Sequence, residues 1–196
     1  MKKTAIIIAT FISAALFITA CSSSEIETNM SEDVRDFNFT TQDEGTLSNT
    51  DLEGKWWVAD FIFTNCTTVC LPMTSNMSKM QDQLAEDGVE NVEFVSFSVD
   101  PEQDTPEVLK SYAEGYDADL SNWTFLTGYD FHTIKELSIK SFKSPLQEPQ
   151  PGDDQVTHGV RFFLVNPEGE VVKSYLGTDT NELEQLVKDL KTVTDS

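Results

Sequence analysis

The sequence predicts an α/β domain in which a central mixed β-sheet is flanked by helices. Apolar runs rich in β-forming residues alternate with amphipathic helical patterns along most of the chain. Near the end, two such runs follow each other across a tight turn. The alternation favours parallel strands with right-handed crossovers, and the terminal hairpin adds antiparallel pairing.

The first predicted strand and helix frame the most distinctive part of the chain. Lys55–Phe63 is a mostly apolar run that predicts a buried strand. The helix after it has an apolar face at helical spacing, formed by Met73, Met77, Met80 and Leu84. Gly88 can end this helix. We assign the methionine stripe to the core rather than to a metal-binding face, because its spacing is that of a packed helix.

The middle of the chain repeats the strand–helix pattern. Val92–Val99 predicts a second apolar strand, and Thr105 caps a helix that opens with proline. A short strand covers Trp123–Leu126. Asp130 caps a further helix that extends to about Ser141.

The last part predicts a β-hairpin and a final helix. Lys143–Val156 is rich in Pro, Gln and Asp, which is typical of an exposed loop. Val160–Val165 and Glu170–Tyr175 are the strands of the hairpin, and an amphipathic helix begins near Asp179 or Thr180. This order of elements is that of a thioredoxin-like fold, which we predict for residues 34–193.

The N-terminus carries a secretory signal. Two lysines precede an apolar run from Ala5 to Ala20, which is shorter than the roughly 20 apolar residues of a spanning helix. The run ends in Ile-Thr-Ala-Cys at Cys21, which resembles a bacterial lipoprotein signal. We predict a signal peptide over residues 1–20, then a lipidated Cys21 and polar tether over 21–33. The alternative is an ordinary signal peptide cut elsewhere.

These features predict a protein anchored by lipid to the cell membrane, on its extracytoplasmic face. The formal net charge is −21, with 34 acidic and 13 basic residues. Such a surface repels nucleic acid, so we expect none as a partner. We interpret the charge as a solvated acidic surface, with docking of a basic partner as the weaker alternative, and we expect a monomer.

Cys66 and Cys70 are the candidates for chemistry. The chain has three cysteines, and Cys21 is assigned to the lipid. One remaining pair is too few to staple a fold of this size. Cys66 follows a strand, and Cys70 lies at a helix start, where the helix dipole favours the thiolate. Thiolates serve both metal binding and disulfide exchange.

His158 is the candidate third ligand. Of the two histidines, His132 has polar neighbours in a predicted helix and should lie on the surface. His158 comes just before an apolar strand, and in this fold that segment approaches the cysteine loop. Two thiolates and one imidazole favour copper or zinc. A structural zinc site would usually have a fourth protein ligand, so copper is preferred.

Three segments carry a family resemblance: Asp60–Cys70, Ser98–Pro101, and Val156–His158 ahead of Phe162–Val165. Together they resemble the Sco/SenC family of copper-binding proteins that assist cytochrome c oxidase assembly. The resemblance extends over about Val34–Val193 and is greatest for the lipoprotein members from Gram-positive bacteria.

The resemblance implies a copper site and a client. It implies that Cys66, Cys70 and His158 bind one copper ion, as Cu(I) or Cu(II), and that the cysteines cycle between dithiol and disulfide. It also implies that the partner is the cytochrome c oxidase subunit that carries the binuclear copper centre. Asp100 matches a family acid associated with copper loading, although opening the turn at Pro101 would equally explain it.

The chain departs from the family pattern at one position. The family commonly has proline directly after the second cysteine, whereas Leu71 stands here and Pro72 follows. Proline fits the first helical turn at either position. We therefore expect the ligands to be retained and the loop to differ slightly in shape.

Three alternatives stay open. A metal-independent thiol–disulfide reductase would use Cys66 and Cys70 to keep the oxidase cysteines reduced and would not require His158. A peroxiredoxin-type peroxidase would need a Pro-x-x-x-Thr-x-x-Cys pattern. This chain lacks the pattern, because Phe63, not proline, lies seven residues before Cys70. The third alternative is a copper or redox sensor.

Overall fold

The computed structural model describes residues 26–66, 70–89, 91–150, 152 and 154–194, with Cys70 described by its backbone alone. The predicted signal peptide, Cys21 and the first part of the tether lie outside the described residues. Among the described residues, no helix has both the length and the apolar character needed to cross a membrane.

The strands and helices follow one another largely as predicted. In chain order the strands are β1 (Glu32–Asp33), β2 (Asn38–Thr41), β3 (Thr46–Ser48), β4 (Trp56–Ile62), β5 (Val92–Ser98), β6 (Trp123–Thr127), β7 (Leu146–Gln147), β8 (Thr157–His158), β9 (Arg161–Val165) and β10 (Glu170–Leu176). The helices are α1 (Cys70–Glu86), α2 (Pro106–Glu114), α3 (Phe131–Phe142) and α4 (Thr180–Thr194), and a 3-10 turn covers Asn49–Leu52.

Most strands belong to one mixed sheet in the order β1-β10-β9-β4-β5-β6-β2-β3. β4 pairs in parallel with β5, from Trp56 opposite Val92 to Ile62 opposite Ser98, and β6 continues the parallel set. β9 runs antiparallel to β4 on its other side. The thioredoxin-like fold, with a central mixed sheet flanked by helices, is therefore confirmed.

Two apolar layers cover the sheet. One contains the buried faces of α1, α2 and α4, and the other contains α3. Met73 and Met77 are fully buried, and Met80 and Leu84 are at most 3% exposed. The assignment of the methionine stripe to the core is confirmed.

The predicted helix caps are present. The Thr105 hydroxyl accepts from the Val108 N–H at 3.4 Å at the start of α2, and an Asp130 carboxyl oxygen accepts from the Thr133 N–H at 2.7 Å at the start of α3. Gly88 follows α1 with a φ of 77°, a conformation that glycine adopts without steric cost. Local sequence thus fixes the ends of the helices that flank the sheet.

The domain begins earlier than the predicted boundary at residue 34. β1 pairs with β10, and the Asn29 side chain bonds to the Ser174 backbone in both directions: Asn29 Oδ1 accepts from the Ser174 N–H at 2.9 Å and Asn29 Nδ2 donates to the Ser174 carbonyl at 3.1 Å. Ile26 also packs against the core. This edge is held by polar groups, so apolar periodicity did not indicate it, and the same is true of the β2–β3 hairpin.

The prediction that Lys143–Val156 is an exposed loop is wrong at its buried residues. Leu146 and Val156 are only 2% and 7% exposed, and they anchor the loop to the core. β7 pairs with β8, with Leu146 opposite His158. Two apolar side chains thus outweigh a polar composition, and the backbone at His158 belongs to a small sheet.

The core assignment of the stripe makes a prediction for Met77. Met77→Ala should lower the free energy of unfolding by about 2–5 kcal/mol, because it leaves a cavity. Met77→Leu conserves volume and should cost less than about 1.5 kcal/mol. Urea unfolding of the metal-free protein measures both. A metal-binding stripe would instead show itself as lower copper stoichiometry in Met77→Leu.

Candidate metal centre

Cys66, Asp100 and the segment that carries His158 lie at one edge of the sheet, where the parallel strands end. β4 and β5 are parallel and in register, so the turns that follow them, with Cys66 and Asp100, lie at the same edge. β9 is antiparallel to β4, with Ala59 opposite Phe163, and the segment entering β9 therefore reaches that edge too. This segment contains His158. Ligand sites in open α/β sheets commonly lie at the carboxyl ends of parallel strands.

Cys66 lies in a tight turn that closes directly after β4. Its N–H donates to the Phe63 carbonyl at 3.3 Å, across Thr64 and Asn65. Cys66 is only 6% exposed and belongs to the core cluster. The core residues around Cys66 therefore shield it from most of the solvent.

Cys70 is the first residue of α1, a helix of 17 residues. The partial positive charge of a helix N-terminus favours an anion at this position. A cysteine there ionises more readily, and a thiolate is the form that ligates metal or attacks a disulfide. Leu71, the next residue of α1, is 48% exposed.

The imidazole of His158 is oriented by the backbone. Its Nδ1 lies 2.9 Å from the Gly159 carbonyl oxygen. A carbonyl can only accept, so we assign the proton to Nδ1, and in the neutral ring Nε2 then carries the lone pair. Such a hydrogen bond is the usual support of a metal-binding histidine. The half-buried ring also packs edge-on against Phe63, with centroids 5.7 Å apart.

Phe63 therefore contacts both parts of the site, because its carbonyl closes the Cys66 turn and its ring packs against His158. His132 is exposed on α3, as predicted. Among the described side chains, which exclude that of Cys70, no group of three His, Cys, Asp or Glu is arranged to hold a metal. The full set of predicted ligands stays a prediction.

A polar latch joins the loop that precedes His158 to the cysteine turn. Asn65 Nδ2 donates to a carboxyl oxygen of Asp154 at 2.9 Å, and Gln155 Nε2 donates to the Asn65 carbonyl at 3.1 Å. Hydrogen bonds from Gln155 and Asn65 hold the pKa of Asp154 below its usual range. Sequence analysis missed this latch because its partners are far apart in the chain.

Asp100 opens a turn, as one of its two predicted roles required. Its carbonyl accepts from the N–H groups of Gln103 and Asp104 at 3.0 and 2.9 Å. Partial burial raises the pKa of its carboxyl, and the nearby charges of Asp104 and Glu102 add to the effect. An influence of Asp100 on copper loading stays a prediction.

Asp60 is a buried carboxyl that sequence analysis did not single out. It lies in β4 and is fully buried, and neither of its oxygens has a hydrogen-bond partner in the described part of the chain. Burial raises its pKa to about 7, an effect that the nearby Ser96 hydroxyl, outside normal hydrogen-bond geometry, and the nearby His158 only partly offset. A lone acid within an apolar strand was the available signal.

Comparison with known proteins decides the family. A family model described as SCO1/SenC matches residues 26–195. The chain belongs to the SCO1/SenC family. A SCO1/SenC family lipoprotein from Bacillus anthracis is 44% identical in sequence, and the structural match covers 83% of this chain and 95% of that one, with a TM-score of 0.78.

Two further Sco structures are informative. BsSco, described as having a disulfide switch and as a member of the Sco family of cytochrome c oxidase assembly proteins, is 40% identical, with 87% and 98% of the two chains covered and a TM-score of 0.78. ScoI of Bradyrhizobium japonicum, solved with copper bound, is 25% identical over 81% and 98% of the chains, with a TM-score of 0.68.

We expect Asp60 to make the free energy of unfolding of this Sco protein dependent on pH. Its pKa in the folded state, about 7, exceeds the ordinary value of 3.8, so the folded state holds a proton that the unfolded state loses earlier. The stability contribution is thus present below pH 4 and is lost as pH rises through 7. As pH rises from 4 to 8, the free energy of unfolding of Asp60→Asn should increase by about 2–4 kcal/mol relative to that of wild type.

Urea unfolding of the reduced, metal-free proteins at several pH values measures this gain. Parallel pH profiles for wild type and Asp60→Asn would show that Asp60 does not titrate with a raised pKa.

Proposed function

We propose that this Sco protein binds one copper ion through Cys66, Cys70 and His158 and supplies it to the binuclear copper centre of cytochrome c oxidase. The observation that carries the proposal is the orientation of His158, whose Nδ1 is engaged by a backbone carbonyl next to the cysteine turn. The copper-bound relative from B. japonicum supports copper as the cargo.

The donor set suits copper. Thiolate sulfur is a soft ligand that selects Cu(I), and imidazole binds copper in either oxidation state. The buried Cys66 would supply one sulfur, Cys70 at the helix start the second, and His158 the nitrogen through Nε2. The ligands would come from a strand end, a helix start and the segment before β9, so three separate parts of the chain would meet at the ion.

The same cysteines give the site a redox control. Copper ligation needs both thiolates, and a Cys66–Cys70 disulfide would remove them. The disulfide switch described for BsSco supports such a control. It also keeps open a second function, in which the dithiol reduces the cysteines of the oxidase centre without metal. His158 separates the two, because thiol–disulfide exchange does not require an imidazole.

The membrane anchor would place this chemistry beside its client. We propose that Cys21 is lipidated and that the domain lies on the extracytoplasmic face, where the binuclear copper centre is assembled. The B. anthracis relative, described as a lipoprotein, supports the anchor. The partner would then be the oxidase subunit that carries the centre, reached by diffusion in the plane of the membrane.

A matched pair of histidine variants tests the copper site. His158→Ala should weaken copper binding by 100-fold or more, since loss of even an outer supporting residue costs about 10–100-fold in metal affinity. His132→Ala removes the exposed histidine on α3 and should bind copper as wild type does. Competition with a chelator, together with the thiolate-to-copper absorption band, reads out both. Equal affinities for the two variants would rule out His158 as a ligand.

Deleting the gene tests the client. Cytochrome c oxidase activity should fall in copper-poor medium, while a quinol oxidase without the binuclear copper centre should stay active. Cys66→Ser should reproduce the deletion whether the role is copper supply or reduction, but His158→Ala should do so fully only for copper supply. Full activity of both oxidases after deletion would refute a role in assembly.

A further inference from the structure

A buried carboxylate lies beneath the cysteine turn. Asp104, in the loop between β5 and α2, is fully buried. Its carboxyl oxygens accept from the Thr64 hydroxyl at 2.6 Å, from the Ser98 hydroxyl at 2.6 Å and from the Thr64 N–H at 3.3 Å. Hydroxyl–carboxylate bonds of this length are among the strong hydrogen bonds of proteins.

Such an acid is costly to bury unless it has several donors. Burial raises the pKa of Asp104, and the hydrogen bonds from Ser98 and Thr64 oppose that rise. A neutral amide at this position would offer one acceptor atom instead of two, so one hydroxyl would have to turn and accept from the amide nitrogen. The three donors therefore favour a carboxylate over a neutral amide.

The base of this arrangement is fixed to the sheet. Ser98 is the last residue of β5, and its hydroxyl oxygen also accepts from the Asp100 N–H at 3.1 Å. The Tyr129 hydroxyl lies within hydrogen-bond distance of two carbonyl oxygens, that of Ser98 at 2.8 Å and that of Leu126 at 2.7 Å. Asp104 is thus hydrogen-bonded to the end of β5, and neighbouring groups hold that strand end in place.

The other end of the arrangement is the cysteine turn. Thr64 lies between Phe63, whose ring packs against His158, and Cys66, whose N–H closes the turn on the Phe63 carbonyl. Fixing both the N–H and the hydroxyl of Thr64 therefore fixes the direction of the turn. A shift of Thr64 would move both the Cys66 sulfur and the Phe63 ring that packs against His158.

We infer that Asp104 is a positioning residue for the copper site, which it holds in binding geometry through Thr64. The inference rests on the proposed function. Asp104 contacts no copper itself. Its contribution is preorganisation, because a site held in place loses less conformational freedom on binding the ion.

Four variants test the inference. Asp104→Asn should weaken copper binding by about tenfold or more, in the range reported for outer supporting residues of metal sites, and should shift the thiolate-to-copper band. Thr64→Val, which lacks the hydroxyl, should move both in the same direction, and Thr64→Ser, which retains it, should restore wild-type values. Asp189→Asn is the control, since Asp189 is also a buried aspartate, and it bonds to Lys173 and Tyr175.

Asp189→Asn should lower the urea midpoint without changing copper affinity or the absorption band. A folded Asp104→Asn with wild-type affinity and band would overturn the inference, and if that variant does not fold, Thr64→Val against Thr64→Ser decides in the same way. If wild type binds no copper, the proposed copper site fails. The positioning role is then decided by the midpoint potential of the Cys66–Cys70 couple. Thr64→Val should shift this potential by about 30 mV, which corresponds to a tenfold change in the equilibrium constant for disulfide reduction. An unchanged potential would show that Asp104 has no such role.

Discussion

The Cys66 N–H donates to the Phe63 carbonyl and closes a turn directly after the central strand β4. Everything proposed for the site depends on it. β4 is buried along nearly its whole length and paired on both sides, so its end is a fixed point in the molecule. The turn converts that fixed point into a defined position for a thiol.

Three contacts then hold the turn from different directions. Asp104 binds Thr64 from the β5 side, the Asn65 latch joins the turn to the loop of residues 154 and 155, and the Phe63 ring packs against His158. Asp104 is buried and Thr64 is half-buried, whereas the latch is exposed. Exposed hydrogen bonds open more easily than buried ones, so we expect the latch to be the weaker of these two contacts.

The sequence predicted the long central strands and the helices well, and it predicted the two-residue strands poorly. Trp56–Ile62 and Val92–Ser98 are long apolar strands, and Thr105 and Asp130 cap their helices by local bonds, so short-range signals were sufficient there. β1, β7 and β8 are two residues long, and they depend on polar or long-range partners that no periodicity reveals.

The site divides in the same way. The cysteine spacing and His158 stand out in the sequence, because their residue types imply soft-metal or redox chemistry. The residues that hold the site, Asn65 and Asp104, do not stand out, because Asn and Asp are common in loops and their partners lie 89 and 40 positions away. Asp60 is visible in the sequence as an acid within an apolar strand. Its raised pKa, however, follows from its complete burial, which only the structure reveals.

X-ray absorption at the copper edge of the reduced soluble domain loaded with one equivalent of Cu(I) tests the account most directly. The account predicts two sulfur ligands and one imidazole nitrogen per copper, with the imidazole signal lost in His158→Ala and kept in His132→Ala. A copper bound by sulfur alone, or an imidazole signal that survives in His158→Ala, would contradict it.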